Sequence, residues 1–162
     1  MKKELSSRMI IQMTDCDPFR HLKNSKYLDY IMNVRVQQVK EHYNLDFIKH
    51  AENDNSSWVV MSNHIKYMRP AIMGEEVVVT TRLIDFTDDV LHLEAVMTDY
   101  NQEVIKCILW SKFKYVDFLT GIPKKHIDEH MNLFERILVQ SEKDDFDSRC
   151  RELYNEIKLA RV

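Results

Sequence analysis

Between Ser25 and Tyr43 the chain contains neither proline nor glycine, and Tyr27, Leu28, Ile31, Met32, Val36, Val39 and Tyr43 recur at helical spacing. That pattern predicts a helix of about five turns with a broad apolar stripe, wide enough to lie against a sheet. After Ser57 the period changes. Trp58–Met68, Glu76–Phe86, Val90–Tyr100 and Glu103–Phe118 read as four strands, with turn residues Asp88-Asp89 and Asn101-Gln102 between the last three. Ahead of the helix, Arg8–Thr14 reads as a first short strand. Connections this short make antiparallel neighbours. One long helix with about five antiparallel strands defines an α+β domain in which the sheet curves over the helix and buries its stripe.

The stretch Asn44–Ser57 reads as a polar linker, with Asn53-Asp54-Asn55-Ser56-Ser57 as its turn-rich part. The helical period returns after Gly121-Ile122-Pro123, through Ile127, Met131, Phe134 and Leu138. A last amphipathic piece carries Phe146, Cys150, Leu153, Ile157 and Arg161. At 162 residues the chain has the size of one domain; residues 1–140 are expected to form its body and 141–162 a helical extension of it.

Charge and cysteine content narrow the class of partner. The formal net charge is -3, without long same-sign blocks, which gives no electrostatic footprint for nucleic acid. No segment is apolar over a membrane-spanning length, and Met1–Ser7 lacks the apolar block of a signal peptide. A cytoplasmic protein with no membrane partner is the expectation. Cys16, Cys107 and Cys150 show no C-x-x-C spacing and are expected as free thiols. Cys16 lies between two aspartates, whose field opposes a thiolate.

Candidate chemistry concentrates in Asp15-Cys16-Asp17-Pro18-Phe19-Arg20-His21-Leu22-Lys23-Asn24, between the first strand and the long helix. Pro18 disfavours helical geometry at Asp17, so that carboxylate is expected to project from an extended loop. Asn24 suits a helix N-cap, its side-chain oxygen accepting from a free backbone N–H. The N-terminus of such a helix, with unpaired N–H groups and a positive dipole end, can stabilise oxyanion character. Asp15 reads as a structural residue that ties the loop to itself.

Order and motif together resemble the hotdog-fold acyl-CoA thioesterases of the 4-hydroxybenzoyl-CoA thioesterase-like group. The motif Asp15-x-Asp17-x-x-x-His21-x-x-Asn24-x-x-Tyr27-Leu28 carries the likeness. So do Ser62-x-x-Ile65-x-Tyr67-x-x-Pro70-Ala71-x-x-Gly74-x-x-Val77-x-Val79 and Gly121-Ile122-Pro123, and the likeness spans about residues 8 to 135. Members often carry a glycine where Arg20 stands, and many have a glutamate before the helix arginine, where Asn33 precedes Val34-Arg35. The resemblance implies a thioester hydrolase without a metal or prosthetic group, acting on an acyl-CoA, as a homodimer or a tetramer of dimers with the site in a groove between subunits.

It also implies that Asp17 is general base or nucleophile, that His21 orients water or that carboxylate, or satisfies a hydrogen bond near the helix start, and that the helix start at Asn24 polarises the carbonyl. Lys66 and Arg69, with Arg82 and Lys112 behind them, are the candidates for the phosphates of coenzyme A. Tyr27, Met32, Trp58 and Met61 are candidate walls for the acyl group, although such residues are commonly plain core. The alternative reading is an acyl-thioester binding module without turnover, with Arg20 and Asn33 as its marks. One rival motif is His126-Ile127-Asp128-Glu129-His130, which matches the H-x-x-E-H pattern of some zinc proteases. It would need both histidines on one helix face and a third ligand downstream, from Glu135, Glu142 or Asp144, and an amphipathic helix explains it more simply.

Overall fold

The computed structural model describes residues 1–141 and 143–160; Glu142 and Arg161, named above, lie outside the described residues. In chain order the elements are β1 (Glu4–Ile10), α1 (Asn24–Tyr43), α2 (Phe47–Asp54), β2 (Ser56–Tyr67), β3 (Glu76–Phe86), β4 (Val90–Asp99), β5 (Ile105–Asp117), α3 (Asp128–Ile137) and α4 (Phe146–Leu159). A single 3₁₀ turn at Met13–Asp15 separates β1 from the Asp17 loop. The five strands form one sheet in the order β1-β3-β4-β5-β2, with every neighbouring pair antiparallel, so β1 and β2 are its edges.

The helix stripe read from the sequence is the side of α1 that meets the sheet. Tyr27, Ile31 and Val34 pack with Ile11, Val77, Val79, Ala95, Met97 and Leu109. Ile31 is fully buried, and truncating it to alanine would cost about 2–5 kcal/mol through lost contacts and the cavity left behind. Gln38 adds a polar suture. Its amide donates to the Leu5 carbonyl at 3.1 Å and the Val79 carbonyl at 3.3 Å, and its Oε1 accepts from Thr81 Oγ1 at 2.5 Å. Val36, placed on the stripe by spacing, is instead 39% exposed.

The opposite face of the sheet is covered by α4. Phe146, Cys150 and Leu153 close over Ile84, Ile108 and Trp110. Beneath them Glu94, 2% exposed, receives Arg82 Nε at 2.9 Å, Arg149 Nε at 3.0 Å and Trp110 Nε1 at 2.9 Å. Burial alone would raise the Glu94 carboxyl, but these hydrogen bonds and the two arginine charges bring it below the usual glutamate value.

Three local readings need correction. The first strand is Glu4–Ile10 rather than Arg8–Thr14, because the chain leaves the sheet at Ile11 and turns at Met13. The supposed linker contains α2, whose N-cap Asp46 accepts from the Ile48 and Lys49 N–H groups at 3.1 and 3.3 Å. Asn24 is the first residue of α1 and not its cap; Lys23 occupies the cap position and no side chain caps the helix.

Candidate active site

The Asp17 loop is held in shape by its own hydrogen bonds. Asp17 Oδ1 accepts from the Phe19 N–H at 2.9 Å and the His21 N–H at 3.0 Å, and the Asp17 N–H donates to the His21 carbonyl at 2.8 Å. The turn at Pro18-Phe19 ends on Arg20 with φ 66°, the left-handed region that glycine adopts without strain. Asp15 ties the loop to itself and also to the helix: its carbonyl accepts from the Lys23 N–H at 3.0 Å, and its Oδ2 accepts from the Tyr30 hydroxyl at 2.8 Å.

A shallow pocket opens in front of this loop, lined by Asp17, His21, Asn24, Tyr27, Tyr67 and Arg69 among others. Asp17 and His21 are half-buried and Asn24 is exposed. Two of Asp17's hydrogen bonds engage the same oxygen, which leaves Oδ2 without a partner among the described residues. The α1 start is equally open. With no side-chain cap, the backbone N–H groups of Asn24 and Ser25 have no protein acceptor among the described residues. His21 is not hydrogen-bonded to Asp17 through its ring; the imidazole's nearest aromatic neighbour is Phe19, with centroids 6.5 Å apart. Tyr27 is core, 2% exposed, and its hydroxyl accepts from the Ala71 N–H at 3.0 Å. Arg69 is exposed and in no ion pair among the described residues.

Of the side chains singled out in the sequence, Asp17, His21, Asn24, Tyr27 and Arg69 come together here, and Lys66 and Trp58 do not. Lys66 points to the other face of the sheet, where Nζ lies 3.1 Å from Asp147 of α4. Strand alternation separates it from Tyr67, and Arg82 is likewise committed to Glu94. Trp58 sits beside the far half of α1, where it lines a second cavity of about 290 Å³ together with Met32, Arg35, Phe113 and Phe134. Met61 is 54% exposed at a bulge in β2 and lines neither space. Tyr67 was missed as a site residue. Its hydroxyl donates to the Asn24 carbonyl at 3.0 Å, and its place on the helix-facing side of β2 was the available signal.

The zinc reading fails on geometry. His126 precedes α3, which starts at Asp128, so the two histidines do not share a helix face. No metal-binding group of histidine, cysteine and acidic side chains exists among the described residues. His126 Nδ1 lies 3.1 Å from the Thr87 carbonyl, which makes Nδ1 the donor and Nε2 the acceptor of the Trp58 indole N–H at 2.9 Å. His130 is 5% exposed, its Nδ1 lacks a partner among the described residues, and its ring is 4.8 Å from that of His50. Burial first, then the charges of His50 and His126, push His130 down to about 4. The Cys16 thiol is pushed up, by burial and then by Asp15 and Asp17, against a nucleophilic role.

Residues 11–141 match the model of the thioesterase-like superfamily, and the chain belongs to that family. Its fold is the hotdog fold. A protein of Staphylococcus aureus solved in complex with CoA superposes with a TM-score of 0.77 at 14% identity, covering 90% of each chain. A probable thioesterase of Escherichia coli gives 0.70 at 19% identity over 83% of this chain and 98% of that one. A 1,4-dihydroxy-2-naphthoyl-CoA thioesterase of Synechocystis gives 0.72 at 7% identity over 80% and 93%. No curated protein matches the sequence. No helix among the described residues is long and apolar enough to cross a membrane.

Proposed function

We propose that this protein hydrolyses an acyl-CoA thioester to the free acid and coenzyme A at the pocket between the Asp17 loop and the start of α1. The observation that carries the reading is the pairing of an unpartnered Asp17 Oδ2 with the uncapped helix start in one pocket. The thioester oxygen takes the Asn24 and Ser25 N–H groups, which stabilise the charge that develops on it. Asp17 Oδ2 accepts a proton from water as the water oxygen attacks the carbonyl carbon. Collapse of the tetrahedral intermediate breaks the C–S bond, and the departing thiolate takes the proton that Asp17 had accepted from water, which restores the carboxylate. Direct attack by Asp17 to form a mixed anhydride uses the same oxygen. Arg69, at the pocket edge, pairs with a phosphate of the carrier. The solved relative bound to CoA and the family match support the carrier's identity.

The working unit proposed is a dimer formed along an exposed sheet edge. On β2, Val59, Val60 and Met61 are 38%, 51% and 54% exposed, an apolar edge that a monomer would leave in water. Sedimentation at micromolar concentration should give twice the chain mass; a monomer throughout would remove the dimer from the reading.

A binding module without turnover is the second reading, favoured by the commitment of Asp17 Oδ1 to two loop N–H groups. Thiol release from short, long and aromatic acyl-CoAs separates the two. Release with at least one of them is expected, and saturable acyl-CoA binding without release across the panel would leave only the binding module.

A further inference from the structure

The cavity along the far half of α1 differs from the Asp17 pocket in shape and in charge. Its walls are apolar, among them Met32, Trp58, Leu93, Phe113 and Phe134, and its volume of about 290 Å³ is at the small end for ligand sites. Along the helix axis Arg35 is about 16 Å from Asn24, from the rise per residue, so this cavity is a separate space from the pocket at the helix start.

One cation faces this apolar space. Arg35 lines the cavity, and no carboxylate among the described residues pairs with it. The contrast with the chain's other inward-facing arginines is direct, since Arg82 and Arg149 both close on Glu94. Arg35 is nonetheless held in place. Its Nη1 donates to Thr81 Oγ1 at 3.1 Å, Thr81 donates onward to Gln38 Oε1 at 2.5 Å, and the guanidinium carbon lies 5.8 Å from the centre of the Tyr43 ring. Burial lowers its pKa to about 10, which leaves it charged at neutral pH. Thr81 and Tyr43 engage part of the guanidinium, and with five N–H donors it keeps others for a ligand; two parallel donors of a guanidinium match the two oxygens of a carboxylate.

We propose that this cavity binds a free amphipathic carboxylic acid, with the Arg35 guanidinium on its carboxylate and a medium-chain or aryl body against Trp58, Phe113 and Phe134. An uncharged body alone would leave the cation desolvated and unpaired, which is costly; a carboxylate supplies the missing charge. The assignment is independent of hydrolysis at Asp17, because it rests on a different set of side chains.

Isothermal titration calorimetry with octanoate and with octan-1-ol, on the wild type and on Arg35→Met, tests it. The wild type should bind octanoate about tenfold or more tightly than octanol, the margin of a charge-assisted hydrogen-bonded pair. Arg35→Met should lose that margin and keep its octanol affinity. Equal affinity for the two ligands, absence of octanoate binding, or undiminished octanoate binding by Arg35→Met would each overturn the proposal. Leu133→Trp leaves Arg35 untouched and fills the cavity from a partly buried wall position away from the β2 edge, so it serves if Arg35→Met does not fold. It should abolish binding of both ligands, and octanoate affinity unchanged by it would place the carboxylate elsewhere.

Discussion

The two ends of α1 are built on opposite terms. At its start the helix is uncapped, the neighbouring loop holds Arg20 at positive φ, and the polar groups of Asp17, Asn24 and Arg69 face an open pocket. At its far half, Val39 and Tyr43 pack with Leu83, Phe134 and Ile137, and the adjacent histidines are enclosed by Trp58 and Tyr115. The difference teaches that solvent-facing donors and a positive φ are tolerated at the open end, where chemistry is proposed, while the far end carries the apolar packing that supplies stability even around a buried atom unpartnered among the described residues, His130 Nδ1. Substitutions at the far end should therefore change stability, and substitutions at the near end should change turnover.

Phe134→Ala should show the largest effect on stability. Phe134 is 2% exposed, and its truncation should cost about 3–5 kcal/mol in denaturant unfolding, with turnover per folded molecule retained. A loss below about 1 kcal/mol would break the contrast between the ends. Acid should act on the same region through His130. Its folded pKa of about 4 lies below the ordinary ~6.5, so the unfolded chain takes up the proton first. Stability is fully present above pH ~6.5 and falls as pH drops toward 4, by roughly 1–3 kcal/mol from this group. His130→Phe should flatten the curve in that window; an unchanged pH dependence would assign the loss to other groups.

At the near end Arg69→Ala should raise KM for acyl-CoA by about fivefold to tenfold with kcat maintained, as loss of one exposed phosphate contact implies. A fall in kcat with KM unchanged would move Arg69 from the carrier to the reacting centre. The smallest effect expected is at Arg20. Arg20→Gly should relieve the positive φ and gain up to about 1 kcal/mol, offset in part by the freer unfolded chain. Destabilisation would mean that the arginine side chain supports the loop.

Much of the frame was legible because it rests on periodicity. The bounds of β3 agree with the sequence reading at both ends, since Glu76–Phe86 is a β-branched run closed by turn residues. The α1 stripe was legible for the same reason. The polar stretch before Ser56 hid α2, because its helix depends on the Asp46 cap and on Phe47 packing against Trp58, a contact no local pattern shows. At the site, loop residues close in sequence were easy to bring together. Lys66 and Tyr67 are adjacent in sequence but fall on opposite faces, and only the register of β2 separates the one that reaches Asn24 from the one that reaches Asp147. The outer-face network of Arg82, Glu94 and Arg149 joins three distant segments and had no local signature.

The measurement that most directly tests hydrolysis at the helix start is steady-state thiol release by Asp17→Asn on the best acyl-CoA, beside its thermal unfolding. Asparagine keeps an oxygen for the Phe19 and His21 N–H groups and removes the charge. A fall of about a hundredfold or more in kcat with the fold intact is expected for loss of a positioned base or nucleophile. Turnover within a few fold of the wild type would contradict the assignment of chemistry to Asp17.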